Sequence, residues 1–550
     1  MFLERVEIAG FRGINRLSLL LEHNNVLIGE NAWGKSSLLD ALTLLLSPDA
    51  TLYHFTRDDF WFPPGDVLGR EHHLHIILTF RETEPGHRLG RRYRPLAGCW
   101  TAGDDGHYRI FYRLEGELGE DGSVMTLRGF LDAKGQLLPL TDIDEQARHL
   151  VRLMPVLRLR DARFMRRIRN GTVPDVPEVD VTARQLDFLA RELVSRPQNL
   201  SDSQIRHGLT AMVQLLEHYF AEQGSSQARQ RLMRRHSHDE QRSWRYLDII
   251  NRMIDKPGGR SHRVILLGLF STLLQAKGTI RLDKDARPLL LIEDPETRLH
   301  PIMLSVAWQL LNLLPLQRIT TTNSGELLSL TPVEHVCRLV RGSSRIAAWR
   351  LGPGGMNAED SRRIAFHIRA NRPSSLFARC WLLVEGETET WVISELARQC
   401  GHHFDAEGIK VIEFAQSGLK PLIKFARRMG IEWHVLVDGD EAGKKYAATA
   451  RSMLDGDQER DHLTALPAMD MEHFMYREGF ANVYHRVAQL PENVPMNMRR
   501  VIIKAIHRSS KPDLAIEVAM EAGRRGVDAV PVLLRKMFSR VLWLARGRAD

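Results

Sequence analysis

The chain is poor in residues that would mark several protein classes. It has only 4 cysteines, and their positions lack the paired spacing of metal ligands: Cys99, Cys337, Cys380 and Cys400. So few cysteines are typical of a reducing compartment, and we expect a cytoplasmic protein. No apolar run approaches the roughly 18 residues of a membrane-spanning helix, and the N-terminus lacks a signal-peptide pattern. We therefore expect no membrane partner.

Negative charge is also in deficit. The chain carries 76 lysines and arginines against 68 acidic residues, a net charge of +8. Basic residues cluster at 158–169 and at 229–245. Two interpretations stay open for these clusters: a solvated helix face with intramolecular ion pairs, or a surface that follows the phosphates of a nucleic acid. With 550 residues, the chain is expected to form two or three domains.

One short segment matches the phosphate-binding loop of nucleotide triphosphatases. Residues 29–36 fit the pattern G-x-x-x-x-G-K-[ST], between a strand-like apolar run and an apolar helical pattern. The backbone of such a loop approaches a triphosphate, Lys35 would neutralise the β- and γ-phosphates, and Ser36 would hold Mg²⁺. We therefore predict ATP binding by residues of this loop: Gly29, Asn31, Gly34, Lys35, Ser36 and Ser37.

A second apolar run, at 288–292, ends in the two carboxylates Glu293 and Asp294. Such residues at a buried strand end supply the other half of a nucleotide site. Glu293 would hold Mg²⁺, and Asp294 would orient the attacking water. Taken alone, the pair is also common as a helix N-terminal cap.

The continuation Pro295-Glu-Thr-Arg-Leu-His300-Pro301 and the opening Gly10-Phe-Arg12 resemble ABC-type ATPases of the SMC and RecF kind. This resemblance implies that two copies sandwich ATP, hence a homodimer, and that Arg12 contacts the nucleotide. The chain departs from the family in three places. Asp294 is shorter than the usual glutamate base, Pro257-Gly-Gly-Arg260 lacks the signature serine, and Asn323 replaces the switch histidine. We therefore expect slow hydrolysis, with ATP acting mainly as a conformational clamp.

The order of strand-like and helical patterns predicts an α/β fold with an antiparallel β layer in its first part. The layer is expected from residues 2–10, 74–80, 108–114 and 123–130. Short apolar strands alternating with helices after residue 373 predict a parallel sheet. We expect four regions: an ABC-type ATPase part at 1–181, a helical insertion and dimerisation arm at 182–255, a second ATPase part at 256–372, and a parallel-sheet domain with a helical extension at 373–550.

Two of the later strands also end in carboxylates. Glu385 and Glu389 follow the apolar run 381–384, and Asp438 and Asp440 follow the run 433–437. Because parallel strands open on one edge of a sheet, these acids are expected to converge and to need a divalent cation, Mg²⁺ or Mn²⁺. Individually, Asp-x-Asp is more often a capped turn, and Glu-x-x-x-Glu is common on solvated helices.

Together, the order and spacing of these acids look like the Toprim fold of topoisomerases, primases and certain nucleases. Ser417-Gly418 fits the glycine turn of that fold, and the 469–472 segment resembles its later acidic position, which makes Glu472 a further metal ligand. A phosphate-loop ATPase followed by Toprim resembles the OLD (overcoming lysogenization defect) nucleases. By the same resemblance, Lys511 in its Ser-Lys-Pro context would stabilise charge on the scissile phosphate.

These patterns, taken with what the OLD resemblance implies, lead us to expect an ATP-binding, metal-dependent DNA endonuclease, with Glu385, Asp438 and Lys511 in catalytic roles. No residue pattern identifies a tyrosine nucleophile among the 9 tyrosines, so hydrolysis by water is the simpler expectation. Two alternatives stay open. One is a nucleotide-gated DNA-binding or signalling ATPase with an inactive Toprim site, and the other is an RNA-directed nuclease. Whether a further protein partner is required, and whether the role is phage defence or repair, also stays open.

Overall fold

The computed structural model describes residues 1–63, 72–159, 283, 285–297, 301–312, 316–352, 354–491 and 496–547. The chain divides into two compact units, 1–330 with 335–348 and 331–334 with 349–550. The predicted insertion at 182–255, the glycine segment 257–260, His300 and most of both basic clusters lie outside the described residues.

The first unit is built on one large mixed sheet. Its twelve described strands are β1 (Phe2–Phe11), β2 (Ile14–Leu20), β3 (Asn24–Ile28), β4 (His72–Arg81), β5 (Thr101–Ala102), β6 (Tyr108–Leu118), β7 (Val124–Leu131), β8 (Val156–Leu159), β9 (Leu289–Glu293), β10 (Arg318–Thr321), β11 (Val336–Arg341) and β12 (Ile346–Arg350). The order is β5-β6-β4-β1-β2-β12-β11-β3-β10-β9-β8, and β7 pairs with β6.

This sheet has an antiparallel half and a parallel half. Strands β1, β2, β4, β6 and β7 pair antiparallel, and buried and half-buried residues alternate along β6 because one face of the sheet is less covered than the other. Strands β11, β3, β10, β9 and β8 pair parallel, and most of their residues are buried, including the polar Arg318, Thr320 and Arg338. In β9, which is apolar from Leu289 to Ile292, the polar group comes at the strand end.

Four described α-helices belong to the first unit: α1 (Lys35–Leu45), α2 (Ile143–Leu153), α3 (Pro301–Asn312) and α4 (Gly325–Ser329). The leucines of α1 at positions 38, 39, 42 and 45 are at most 3% exposed and belong to the main core cluster. Full burial of each such side chain contributes about 1.5–3 kcal/mol, so α1 is firmly anchored beneath the loop that precedes it.

The second unit contains a four-stranded parallel sheet in the order β14-β13-β15-β16. Its strands are β13 (Cys380–Val384), β14 (Ile409–Glu413), β15 (Glu432–Val437) and β16 (Leu463–Ala465). Its described α-helices are α5 (Ala358–Ile364), α6 (Glu387–Gln399), α7 (Leu419–Arg428), α8 (Glu441–Arg451), α9 (Glu459–His462), α10 (Met471–Met475), α11 (Ala481–Ala488), α12 (Met498–Arg508), α13 (Lys511–Arg525) and α14 (Val532–Ala545).

The predicted fold class is confirmed: an antiparallel β layer in the first unit and a separate parallel sheet with a helical extension in the second. Around the predicted boundary at 373, Pro373–Phe377 is a 3₁₀ turn whose Ser375 is buried and accepts a hydrogen bond from Trp381 Nε1 at 2.9 Å. No helix among the described residues combines the length and apolar character needed to cross a bilayer.

Candidate nucleotide site and metal centre

The phosphate-loop segment lies between β3, inside the parallel half of the sheet, and α1. Gly34 adopts φ 89°, and a Cβ there would lie 2.7 Å from Ile346 Cδ1, so both conformation and space require glycine. The first turn of α1 has no side-chain cap. Its N–H groups are therefore suited to an anion, as expected for a phosphate loop.

Lys35 lies at the centre of this first site. Its ammonium donates to the Gly29 carbonyl oxygen and, at 3.3 Å, to Asn323 Oδ1 at the end of β10. Burial lowers the pKa of Lys35, and the negative charges of Asp294, Glu296 and Glu30 partly offset the effect. The structure thus brings together the loop lysine, the acidic strand end and the residue at the switch position.

The other loop residues divide by exposure. Asn31 and Ser36 are exposed, as accessible polar contacts for a nucleotide and its metal would be. Ser37 is instead drawn into the protein, where its Oγ accepts from the backbone N–H of Gly13 at 3.3 Å.

Asp294 has an unusual backbone conformation, φ 41°. Its Oδ1 accepts from Thr321 Oγ1 at 3.1 Å, and its backbone N–H donates to the Thr321 carbonyl at 3.1 Å. Left-handed non-glycine residues are uncommon and occur often at functional sites. The strand end is thus held against the neighbouring β10 rather than used as a helix cap.

Glu296 is a site residue that the sequence analysis did not single out. Its Oε1 accepts from the backbone N–H of Asn323 at 2.7 Å, and its Oε2 is buried without a hydrogen-bond partner among the described residues. The signal was its place in the Pro295-Glu296 dipeptide just after the acidic strand end. Its free oxygen and its field on Lys35 make it a second candidate for holding water or metal here.

Five charged residues form a chain of ion pairs that ends at Glu293. Arg158, whose side chain is 5% exposed, contacts Glu293 Oε2 at 2.9 Å and Asp40 Oδ1 at 2.5 Å. Arg12 contacts Asp40 Oδ2 and Asp59 Oδ1, each at 2.8 Å. The described member of the first basic cluster is therefore an intramolecular partner on a strand, and both predicted nucleotide contacts, Arg12 and Glu293, are held by protein charges.

In the second unit, Glu385 and Asp438 lie at the same edge of the sheet. β13 and β15 are parallel neighbours, with Leu383 opposite Val435, and each acid directly follows its strand. The chain thus places the two acids side by side at the carboxyl ends of adjacent strands. We call this edge, with the acidic residues that follow β13, β15 and β16, the acidic rim.

Helix starts fix two more rim carboxylates. Glu389 Oε2 accepts from the Gly386 N–H at 2.9 Å, and Asp440 Oδ1 caps α8 by accepting from the Gly443 N–H at 2.7 Å. A Cβ on Gly443 would lie 1.9 Å from the Asp438 carbonyl oxygen, so only glycine lets α8 start this close to β15. The Asp-x-Asp pattern is a capped turn after all, and the cap holds Asp440 at the rim.

The rim is strongly acidic and poorly compensated. Burial raises the pKa of Asp438 to about 8, and four neighbouring carboxylates add to the effect: Glu389, Glu385, Asp470 and Glu472. Burial, followed by the charges of Asp440 and Glu389, raises the pKa of Glu385. Burial also raises the pKa of Glu389. Burial is the largest cause of each of these pKa shifts, and neighbouring carboxylates add to it in the same direction.

Lys511 places a positive charge beside the acidic rim. Its Nζ lies 3.2 Å from Glu472 Oε1, and Ser510 caps α13 so that Lys511 starts the helix. Burial opposes protonation, but Glu472 and Asp470 outweigh it and raise the pKa of Lys511. Asp470 was not selected from the sequence. It caps α10 and accepts from His473 Nδ1 at 2.6 Å, and the Asp-x-Glu pattern after β16 was its signal.

The donor chemistry of the rim fits a hard divalent cation. All its described acidic groups are carboxylates, and Glu385 Oε2 is buried without a hydrogen-bond partner among the described residues. Within the described part of the chain, however, no three acidic, imidazole or thiol side chains are gathered as a ready coordination sphere. The rim thus offers carboxylate oxygens that could bind a metal ion, but its described side chains do not converge on a single point.

Family models match both parts of the chain. One described as “Protein of unknown function (DUF2813)” matches residues 1–375. Another, “Overcoming lysogenization defect protein-like, TOPRIM domain”, matches residues 376–440, which include Glu385, Glu389, Asp438 and Asp440. The OLD-like Toprim resemblance is therefore confirmed. A protein of Escherichia coli (strain K12), “Uncharacterized protein YbjD”, is 84% identical over 552 residues and covers 100% of both chains.

Solved structures show weaker likenesses. The C-terminal region of the Burkholderia pseudomallei OLD protein is 19% identical, with 31% of this chain and 99% of that chain covered at a TM-score of 0.26. The corresponding Xanthomonas campestris pv. campestris region is 16% identical, with 31% and 95% covered at 0.27. The SMC head domain from Thermotoga maritima is 12% identical, with 64% and 100% covered at 0.27.

Proposed function

We propose that this chain, which belongs to the family described as “Protein of unknown function (DUF2813)” and carries an OLD-like TOPRIM domain, is an ATP-binding, divalent-metal-dependent DNA endonuclease. One observation carries the proposal. The carboxylates that follow three parallel strands share one edge of the sheet, where burial and, after it, the neighbouring carboxylates raise the pKa of Asp438 to about 8. Such a cluster is costly for folding unless a cation or a chemical role compensates it.

The metal would be Mg²⁺ or Mn²⁺, held by oxygen ligands of the rim: Glu385, Glu389, Asp438, Asp440 and Glu472. When bound, the ion would activate water and steady the leaving oxygen of a phosphodiester. The residues themselves set the geometry. The cap on Asp440 and the hydrogen bond to Glu389 fix two carboxylates, and Glu385 retains a free oxygen for binding.

Lys511 would recognise the scissile phosphate. Its ammonium is half-exposed and pairs with Glu472, so it can turn towards an incoming anion without crossing the core. A fixed positive charge beside the reacting phosphate stabilises the negative charge that develops there. We assign it the electrostatic role and leave proton transfer from water to the rim carboxylates.

The first unit would bind ATP and hydrolyse it slowly. Lys35 and the N-terminus of α1 are placed to hold phosphates, with Ser36 and Glu293 as magnesium ligands and Arg12 as a further nucleotide contact. Asp294 would orient water, but it is shorter than a glutamate and is already hydrogen-bonded to Thr321. Asn323 offers Lys35 an amide and no switchable charge. A steady-state turnover above roughly 10 per second, the median enzyme rate, would contradict this role.

Two partners belong to the proposal. A homodimer is expected because ABC-type heads place ATP between two copies, and light scattering coupled to size exclusion tests it with and without ATP. DNA is expected as substrate. A strict monomer under both conditions would count against nucleotide-driven pairing while leaving the nuclease proposal intact.

Cleavage of supercoiled plasmid in Mg²⁺ or Mn²⁺ tests the nuclease. We expect wild-type protein to nick the plasmid and Asp438→Ala and Glu385→Ala to lower the rate by about 1,000-fold or more. Asp405→Ala is the matched control, because Asp405 is 83% exposed and pairs only peripherally with Lys410. No cleavage by any protein, or equal cleavage by all variants, would refute the proposal. Labelled RNA in parallel separates DNA from RNA preference.

A further inference from the structure

A short π-helical turn, Ala365–Ala370, continues α5 in the second unit. Such turns account for well under 1% of residues and occur often at functional sites. This one presents Phe366 with 60% of its surface exposed. The ring makes an edge contact with His367, at a centroid distance of 5.1 Å, and leaves most of its surface to solvent. An accessible aromatic face is thus held on a defined backbone.

The surroundings of Phe366 are basic. Arg362 and Arg363 are exposed on the preceding turn of α5, with Arg363 paired to Glu359. α5 packs against α7, whose sequence contains no acidic residue and whose first turn exposes Lys420. Arg363 Nη1 reaches within 3.8 Å of a Cβ built on Gly418, at the start of α7. We call this surface, Arg362, Arg363, Phe366 and Lys420, the aromatic-basic patch.

The π turn that carries Phe366 lies near the end of β14, the strand that pairs with β13. A cavity of about 60 Å³ separates the π turn from the end of β14, with His367 and Arg372 on one side and Glu413 and Gln416 on the other. Arg372 pairs with Glu413, which lies opposite Val384 in the sheet. Glu385 follows Val384, and neighbouring strands lie about 5 Å apart. Glu413, which borders the cavity opposite the π turn, is therefore about one strand away from a rim carboxylate, and the aromatic-basic patch lies on the other side of that cavity.

This combination selects among possible occupants. Single exposed apolar residues are common and need no partner, but a protein-binding site would place further apolar residues around the ring, and here the neighbours are cationic. Duplex DNA keeps its bases stacked and offers no base face to a lone ring. A strand with unpaired bases offers both a polyanionic backbone and free aromatic faces.

We infer that the aromatic-basic patch binds single-stranded nucleic acid, with a base stacked on Phe366 and phosphates beside Arg362, Arg363 and Lys420. The role of this patch, which is to guide an unpaired strand towards the acidic rim, rests on the proposed function. Binding itself requires neither metal nor cleavage. The nuclease would accordingly favour substrates with unpaired or frayed segments over intact duplex.

Fluorescence anisotropy with labelled oligothymidylate, in EDTA so that no cleavage occurs, tests the inference. We expect Phe366→Ala to weaken binding by about tenfold, the loss of one base-stacking contact. Phe366→Tyr should bind within about twofold of wild type because it keeps the ring, whereas Phe366→Leu should behave like alanine. Arg362→Gln with Arg363→Gln should reduce the salt dependence of binding. Phe62→Ala is the control, a 41% exposed ring in the other unit.

Wild-type affinity in Phe366→Ala would overturn the inference. Wild-type affinity in Phe366→Leu would also overturn it, because an apolar contact would then be enough without base stacking. The tyrosine–leucine pair keeps the test decisive even if the alanine variant folds poorly. Asp405→Ala, at an exposed acid outside the rim, should bind the oligonucleotide like wild type. Ring-dependent binding without any nuclease activity would refute the proposed function alone, and plasmid cleavage with ring-independent binding would refute the inference alone. Oligouridylate distinguishes an RNA strand from a DNA strand.

Discussion

Both units place carboxylates at the carboxyl ends of parallel strands, but they compensate them differently. In the first unit, Glu293 is paired with the nearly buried Arg158, and Asp294 and Glu296 face Lys35. In the second, burial raises the pKa of Asp438 and Glu385 and neighbouring carboxylates add to the shift, while Lys511 pairs with Glu472. The same sheet geometry thus gives one edge whose acids are mostly paired with protein cations and another whose described acids lie mainly beside other acids.

This difference separates two kinds of ligand requirement. A site whose acids already have protein counterions keeps its structure without a ligand. To bind metal at such a site, a nucleotide complex must displace or rearrange the ion pairs within the protein. A site with mutually repelling acids gains stability from the cation itself. The two edges should therefore respond with opposite signs when one carboxylate is neutralised.

The largest expected effect is on ATP binding at the strand edge of the first unit, where Lys35 lies. Lys35→Ala should weaken ATP binding by about 100-fold, because it removes a charged hydrogen-bond donor at the phosphates. Asn323→Ala, which removes only the amide contact to Lys35, should cost about tenfold or less. Titration with a fluorescent ATP analogue measures both, and Lys410→Ala is the control. Wild-type affinity in Lys35→Ala would show that this loop is not the nucleotide site.

Breaking the counterion pair should destabilise the first unit. Glu293→Gln leaves Arg158, 5% exposed, with one carboxylate fewer, and we expect a loss of about 1–3 kcal/mol in unfolding free energy. Urea denaturation followed by circular dichroism measures it. Glu441→Gln on exposed α8 is the matched control and should leave stability unchanged, because both partners in its pair with Lys444 lie at the surface. Unchanged stability in Glu293→Gln would mean that this edge is not compensated as described.

Acid should weaken the second unit through His434. This buried residue of β15 contacts the Asp461 carbonyl and Thr464 Oγ1, each at 2.8 Å. Burial lowers its pKa from 6.5 to about 4; the Asp461 contact opposes the shift and His462 adds to it. Because the folded state excludes the proton, stability is fully present above pH 6.5 and falls as pH drops towards 4. We expect about 1–2 kcal/mol to be lost between pH 6.5 and pH 5.

Melting temperature measured across this pH range checks the acid response. His434→Gln lacks the titrating ring and should show a flatter profile than wild type, whatever its absolute stability. His402→Gln, at the end of α6 away from β15, is the control and should retain the wild-type slope. Identical slopes in wild type and His434→Gln would assign the acid sensitivity to other groups.

Much of this comparison was predictable from the sequence. β9 is apolar up to Glu293, and β13 is apolar throughout and is followed by Glu385, so the burial of both strands and their acidic ends could be predicted from the sequence. Parallel pairing of β13 with β15 then predicted that Glu385 lies beside Asp438. The counterions of these carboxylates could not be predicted from the sequence. Arg158 meets Glu293 across 135 positions, and no local pattern links them. Strands β2, β11 and β12 were likewise not predicted. In β2 the alternation of buried Leu17 and Leu19 with exposed residues was an available signal, whereas β11 and β12 lack such alternation and are defined by their place in the sheet.

The smallest expected effect completes the comparison. Because the pKa of Asp438 is raised to about 8, the metal-free folded protein must keep this buried carboxyl largely protonated at neutral pH, which costs stability. Asp438→Asn removes that cost, so the metal-free protein should become more stable, by about 1 kcal/mol. Added Mg²⁺ or Mn²⁺ should raise the melting temperature of wild type, and this increase should shrink in the variant because a ligand is lost. Asp405→Asn is the control for both measurements. Destabilisation of metal-free Asp438→Asn, parallel to that of Glu293→Gln, would show that the two edges are alike and that the rim does not call for a cation.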